Sequence, residues 1–260
     1  MDEKQAITFY STFKPKKDSH LEFEIKPLSF DKIEEICKQV AEICSSTEPT
    51  VNTLGFTQEE LYLLLLGIAE INVEQHIGIE CFEKNSGEFA ATLLTEDLFY
   101  MKSPAKLLKA TERLPHLHDR LDKSLAVIKK CMKAVQNAYL KPELPLQSFR
   151  IEVAVCNPKF QGLGLMTEMV RFMIKEHPFL KFAKSIVIEA TNPGTQLVFE
   201  RNGFKTYYEL SYKNFEYKGE KILAGVEDKT QEKGFKPAKK LKVMVYHRQL
   251  PIKTTSLPEL

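Results

Sequence analysis

Nothing in this 260-residue chain is long and apolar enough to cross a bilayer. The longest apolar run, residues 61–66, falls far short of the roughly 20 residues a membrane helix needs. The first ten residues are polar and charged, without the apolar centre of a secretory leader. An excess of one charge is missing too. The 37 Lys and Arg stand against 35 Asp and Glu, a net charge of +2, so there is no electrostatic case for a nucleic-acid partner. The five cysteines, Cys37, Cys44, Cys81, Cys131 and Cys156, are odd in number and form no C-x-x-C pair. A reducing compartment is the simpler reading, and a cytoplasmic location is expected. No repeat and no Gly/Ser linker divides the chain. Apolar residues make up 43% and charged residues 28%, ordinary globular usage. A chain of this length buries roughly 70–75% of its unfolded surface, enough for a core without metal or disulfide.

Periodicity supplies the elements. Residues 21–28 alternate apolar and charged and read as a strand, stopped by Pro27. Ile33, Ile36, Cys37, Val40 and Ile43 form the apolar stripe of a helix over residues 32–44. Residues 45–54 read as a loop. Thr57 with Glu60 has the spacing of a capping box, opening a helix to about Val73. Residues 76–82 and 88–94 read as a hairpin about Asn85-Ser86-Gly87. Residues 104–140 are polar and helical in character, one or two helices inserted into the strand series. Residues 149–156 form a strand, 165–177 a one-sided helix, and 185–190 (SIVIEA) a buried central strand. A short helix over 195–201 ends near Gly203. Strands over 204–210 and 241–249 enclose a polar stretch, 213–240, read as a long hairpin or loop. The order predicts a single α/β domain with a mixed sheet.

The strand–loop–helix unit at residues 151–174 is the strongest signal for chemistry. Its loop is Pro158-Lys159-Phe160-Gln161-Gly162-Leu163-Gly164. Glycines at a helix N-terminus let the backbone approach a ligand, and the unpaired N–H groups there, with the helix dipole, favour a phosphate. No Gly-Lys-Ser/Thr follows, which excludes the P-loop, and the full G-x-G-x-x-G of dinucleotide folds is missing. From the loop alone a phosphate site and a plain turn both remain open.

Residues 153–166, VAVCNPKFQGLGLM, resemble the acetyl-CoA signature of the GNAT superfamily of N-acetyltransferases, a strand and turn followed by Gln/Arg-x-x-Gly-x-Gly/Ala. Gln161 and Gly164 match it, and Met166 replaces the last small residue. Residues 188–204, IEATNPGTQLVFERNGF, resemble the strand, Asn, helix and Gly-Phe that complete the coenzyme site, with Asn192 at the Asn. The resemblance implies a GNAT-like, largely antiparallel twisted sheet flanked by helices. Backbone N–H groups of Gln161, Gly162, Leu163, Gly164, Leu165 and Met166 would hold the pyrophosphate. Ala154, Val155 and Cys156 would pair with the pantetheine arm, one of their N–H groups, that of Cys156 in our reading, polarising the thioester. Asn192 is equally readable as a helix cap. Many GNAT enzymes carry a Tyr on the following helix that protonates the departing thiolate. Phe199 stands at that place, a departure shared by members of the invertebrate arylalkylamine branch.

Thr47-Glu48-Pro49 with Leu54-Gly55 is similar to the Asp-Glu-Pro-Leu…Leu-Gly element of that branch, where the Glu is the general base. Glu48 matches it and Thr47 replaces the Asp. Without the resemblance, a Glu before Pro in a loop reads as a surface residue. An alkylamine with a pKa of roughly 10 is about one part in a thousand free base at neutral pH, a cost of about 4 kcal/mol. A positioned base returns about 10²–10⁴ in rate. The sequence from residue 208 to 245 is similar to the closing hairpin of the same branch.

The expected organisation is an N-terminal extension over 1–19, one GNAT domain over 20–250 with its helical insertion at 104–140, and a tail over 251–260. The expected activity is acetyl transfer from acetyl-CoA, as co-substrate, to a small primary amine, an arylalkylamine by resemblance. The alternatives are a polyamine or peptide/protein amine, or a GNAT-like protein that binds acyl-CoA without turnover; an acidic pocket would favour polyamines. No metal, nucleic acid or membrane partner is expected, and the protein is read as a monomer or weak dimer. His116 and His118, near Glu112 and Asp119, read as solvated helix residues, as does the lysine-rich stretch 236–242. His247 has no assigned role. Cys156 lies near the predicted thioester but lacks an activating base nearby in sequence.

Overall fold

The computed structural model describes residues 10–100, 117–136, 144–232 and 238–248. Its eight strands are β1 (Ser11–Phe13), β2 (Phe23–Pro27), β3 (Ile79–Glu83), β4 (Phe89–Asp97), β5 (Ser148–Cys156), β6 (Ser185–Ala190), β7 (Lys205–Ser211) and β8 (Lys240–His247). They form one sheet in the order β1-β2-β3-β4-β5-β6-β8-β7. Every pair is antiparallel except β5 with β6, which run parallel. The last strand inserts between β6 and β7, so the closing hairpin reaches back into the sheet.

Seven helices among the described residues cover the sheet: α1 (Ile33–Thr47), α2 (Pro49–Leu54), α3 (Gln58–Glu74), α4 (His118–Val135), α5 (Leu165–Lys175), α6 (Pro193–Arg201) and α7 (Val226–Glu232). Alternation along the strands sends side chains to opposite faces. Leu93, Ile151, Ile186 and Ile188 meet Leu165, Met169 and Met173 of α5 and Phe199 of α6 on one face. Leu94, Val153 and Val155 meet α1 and α3 on the other, where Val187, Val243 and Val245 meet Val127 and Cys131 of α4.

The predicted elements form largely where their local signals lie. Thr57 Oγ1 accepts from the Glu60 N–H (3.2 Å) and the Glu60 carboxylate accepts from the Thr57 N–H (2.8 Å), the capping box in full. Glu60 also binds Arg120 (2.5 Å), which ties α4 to α3. The SIVIEA strand keeps its predicted bounds and has a neighbour on each edge.

Three expectations need correction. The presumed N-terminal extension contributes Ser11–Phe13 as an edge strand, paired with Phe23–Ile25. The loop read at residues 45–54 is helical: α1 runs on to Thr47, Pro49 opens α2, and Gly55 closes it in the left-handed conformation (φ +77°). Pro suits a first helical position, because the N–H it lacks would be unpaired there. The stretch 213–240 contains α7 rather than a plain hairpin. Of the inserted segment, α4 is one continuous helix; residues 104–116 and 137–140, with Glu112 and His116 among them, lie outside the described residues, as do 233–237 and 251–260.

Candidate active site

Strand β5 changes character half-way along. Ser148–Ile151 pair in parallel with Ser185–Ile188 of β6, and there the pairing stops. Glu152–Cys156 keep only β4 beside them, and their burial falls from complete to partial. The Asn157 N–H donates to the Ala90 carbonyl (2.8 Å). Hydrogen bonds alternate sides along an antiparallel strand. The peptide groups of Ala154 and Cys156 therefore face away from β4, into the gap that opens toward β6. These are polar groups left without a strand to satisfy them, a slot for an extended ligand arm.

The loop beyond is held at its root. Asn157 Oδ1 accepts from the Lys159 N–H (3.0 Å), and Asn157 Nδ2 donates to the Phe89 carbonyl (2.9 Å). Residues Pro158–Phe160 make a single 3-10 turn whose Phe160 is buried edge-on against Phe23 (5.2 Å). Gly162 and Gly164 take φ of +77° and +86°, conformations that cost an L-residue about 1–2 kcal/mol. Helix α5 then starts at Leu165 with no side chain capping it. Its first amides are thus directed outward, as an anion site requires. Gln161 Nε2 donates to the Cys156 carbonyl (3.3 Å). Leu163 and Met166 pack against the core, so the methionine that departs from the signature has its side chain engaged there. Lys159 is paired with Glu88 rather than free beside the loop.

Glu48 stands at the junction of two helices. Its N–H closes α1 on the Cys44 carbonyl (2.9 Å). Its Oε2 caps α2, accepting from the Val51 N–H (2.6 Å) and the Thr50 hydroxyl (2.7 Å). Its Oε1 is buried and has no hydrogen-bond partner. Glu48 lines a cavity of about 310 Å³ whose walls are mostly apolar, from Leu54, Phe56 and Leu61 to Val153 and Ile188. Ala154, Val155 and Asn192 line the same cavity. The fold thus brings Glu48 to the strand of the signature across about a hundred residues of sequence. Asn192 Oδ1 accepts from the Thr195 N–H (2.9 Å), capping α6 as the simpler reading expects. Gln161–Met166 lie beyond the cavity, past the end of β5.

No known protein-family profile matches the sequence, and no curated protein matches it in a sequence search. Solved structures do match. The putative arylalkylamine N-acetyltransferase 7 of the yellow fever mosquito Aedes aegypti aligns over 95% of this chain and 98% of its own, with TM-score 0.61 at 14% identity. The arylalkylamine N-acetyltransferase 2 of Aedes aegypti aligns over 86% and 98%, with TM-score 0.62 at 17% identity. The Drosophila melanogaster polyamine N-acetyltransferase aligns over 87% and 100%, with TM-score 0.58 at 11% identity. The chain has the GNAT fold. At these identities the likeness extends to architecture alone.

Within that GNAT fold lies a cluster the sequence reading passed over. Arg150 of β5, buried, binds Glu189 of β6 (3.0 Å), Glu152 of its own strand (3.0 Å) and Glu96 of β4 (3.5 Å). Burial pushes the Glu96 carboxyl up to about 7, aided by the charge of Glu152 and opposed by Arg150. Burial raises Glu152 as well, again against Arg150. Burial disfavours the Arg150 charge, but the three carboxylates more than offset this. The signal was present: Arg150, Glu152 and Glu189 interrupt central strands, where a charge has to find a partner.

Other candidates separate clearly. Burial pushes the Cys156 thiol up to about 12, so it holds its proton near neutrality. Phe199 is fully buried, edge-on to Phe204 (4.9 Å). Tyr212, fully buried, donates to the Thr191 carbonyl (2.7 Å), and burial first, then Glu48, raises its hydroxyl above the usual range. His247 rests edge-on against Tyr207 (5.6 Å). His118 is the exposed first residue of α4.

Proposed function

We propose that the protein transfers the acetyl group of acetyl-CoA to a small primary amine, of arylalkylamine type, by direct attack within a ternary complex. Two of the mosquito proteins that share the fold are named for arylalkylamine N-acetylation, which favours this reading. One observation supports it above the rest: an unpartnered, buried carboxylate oxygen of Glu48 in the cavity that the signature strand lines.

The residues fit the co-substrate by their unspent hydrogen-bonding capacity. The amides of Ala154 and Cys156 pair with the pantetheine arm as an added strand would. The uncapped turn Gln161–Met166 takes the pyrophosphate on its N–H groups. The Cys156 N–H polarises the thioester carbonyl, where negative charge develops. Asn192 stays with α6 and borders the reaction space.

Glu48 is the base. Its Oε2 is committed to the α2 amide and the Thr50 hydroxyl, which fixes the side chain, while Oε1 remains to receive the ammonium proton. The free amine then forms the C–N bond as the C–S bond breaks, and the second proton shed by the nitrogen passes to the departing thiolate, so that CoA leaves as the thiol. A covalent route through Cys156 is disfavoured by a thiol that keeps its proton. The unpaired cysteines suit the cytoplasmic location we assign to it.

Thiol release from acetyl-CoA with a panel of amines tests the activity. Arylalkylamines are expected to be turned over, and no acetylated amine from any member would remove the proposal. Glu48→Gln keeps an acceptor for the Val51 N–H and is expected to lower kcat about 10²-fold with coenzyme affinity retained. An unchanged kcat takes Glu48 out of the mechanism.

A further inference from the structure

The cavity that holds the Glu48 oxygen has a second anionic wall. Arg150, Glu152 and Glu189 line it opposite the apolar residues of α3 and α4. Glu152 sits at a break in pairing. Thr95 of β4 faces Ile151 and Leu94 faces Val153, so Glu152 is the extra residue of a β-bulge. Bulges re-aim side chains. Arg150 and Glu152, two residues apart, share the cavity face by ordinary strand alternation, and the bulge brings Val153 onto that face as well. Asn72 of α3 holds the bulge, its Oδ1 accepting the Thr95 N–H (2.8 Å).

The charges in this wall do not balance. One guanidinium faces three carboxylates, which leaves two negative charges unmatched when all are ionised. Among the described residues the other titratable groups turned toward this space are Glu48, the Cys44 thiol of α1 and the Cys131 thiol of α4, both thiols raised to about 12 chiefly by burial. Lys130 of α4 also acts on Cys131, but weakly. A buried carboxylate surplus is held either by protons or by a bound cation. Burial and the charge of Glu152 push Glu96 up to about 7, so near neutrality a proton can take part of this role. A neutral ring in the cavity would leave the surplus uncompensated. A second positive charge on the amine would match it.

We infer that Glu152, with Glu189 and Glu96 behind it on Arg150, is a specificity-determining residue that binds a second cationic group on the amine. The substrate class is then a linear diamine or aminoalkylguanidine, its reacting amine at Glu48 and its distal cation at Glu152. This rests on the acetyl-transfer reading for what happens at Glu48, and it ranks amines with a second cation above those with a neutral tail at that same site. Arrival of the distal cation stabilises the ionised carboxylates, so binding near neutral pH expels part of a proton.

Titration calorimetry of the protein–CoA complex with diaminopentane and with pentylamine near neutral pH tests this without turnover. The diamine is expected to bind about tenfold tighter or more, as a desolvated charge pair allows. Its observed enthalpy is expected to vary with the ionisation enthalpy of the buffer. Glu152→Gln is expected to bring the affinity ratio of the two ligands toward one, and Glu189→Gln to lower it in the same direction. Equal affinities for the native protein, or a ratio retained in both variants, would overturn the inference. The two readings fail separately. Diamine preference without acetyl transfer to any amine removes the proposed activity only. Transfer to pentylamine and diaminopentane with equal kcat/KM removes the second-cation role only.

Discussion

The first four residues of β5 lie between β4 and β6 and are buried, while Glu152–Cys156, with the same β4 neighbour, have no partner on the other edge and are half-exposed. The first half spends its backbone on the sheet and carries Arg150, whose guanidinium gathers carboxylates from three adjacent strands at the point where pairing ends. The second half keeps the peptide groups of Ala154 and Cys156 in reserve. One continuous strand thus divides the labour: a charged knot fixes where β5 and β6 part, and the parted segment offers main chain to a ligand. In the first half side chains decide the outcome, and in the second the backbone does.

Three substitutions can break or sharpen that contrast. The largest effect is expected in the first half. Arg150→Met strands three carboxylates in a buried setting and is expected to cost about 3–5 kcal/mol of stability near neutral pH. Carboxylates with raised pKa values bind protons more tightly folded than unfolded, so the loss is expected to shrink as pH falls below about 7, where Glu96 protonates. Chemical denaturation at two pH values measures both, and a change under about 1 kcal/mol would mean the knot fixes nothing. Next comes the loop that prolongs the second half. Gly164→Leu puts a side chain at φ +86°, with its Cβ about 3.8 Å from the Phe13 ring. It is expected to cost about 1–2 kcal/mol of stability and about tenfold or more in CoA affinity by calorimetry; unaltered affinity would detach the loop from the coenzyme. The smallest effect is expected where only the main chain matters. Cys156→Ser keeps the N–H and is expected to change kcat by less than about threefold. A tenfold loss would show that the thiol takes part.

Much of this arrangement was legible in the residues. The capping box of Thr57 and Glu60, the alternation of β2 and the apolar run of β6 formed where local signals placed them. Glu48 was singled out, though as a loop residue. Pro49 was read as part of a loop when it was the first residue of a helix, and Gly55, its left-handed terminator, was present to mark the other end. Edge strand β1 escaped because three residues carry too short a pattern to distinguish from an extension. Arg150, Glu152 and Glu189 escaped for a different reason. Alternating charge such as Arg150 and Glu152 usually marks a solvated face, and only Glu189, inside the apolar run of β6, signalled locally that a buried charge needed a partner.

The sequence by itself determined helices α1, α3, α5 and α6, most of the strands and the glycine turn before α5. Each depends on residues within one or two turns of one another, so caps, periodicity and φ preferences suffice. Only the tertiary structure decided that β5 and β6 separate after Ile151, that an oxygen of Glu48 is left unpartnered in the resulting cavity, and that Glu96 and Glu189 of the neighbouring strands meet Arg150. Those outcomes depend on which distant backbones meet and in what register. A charge or an amide acquires its meaning there, from whether its partner is water, another strand or an enclosed space waiting for a ligand.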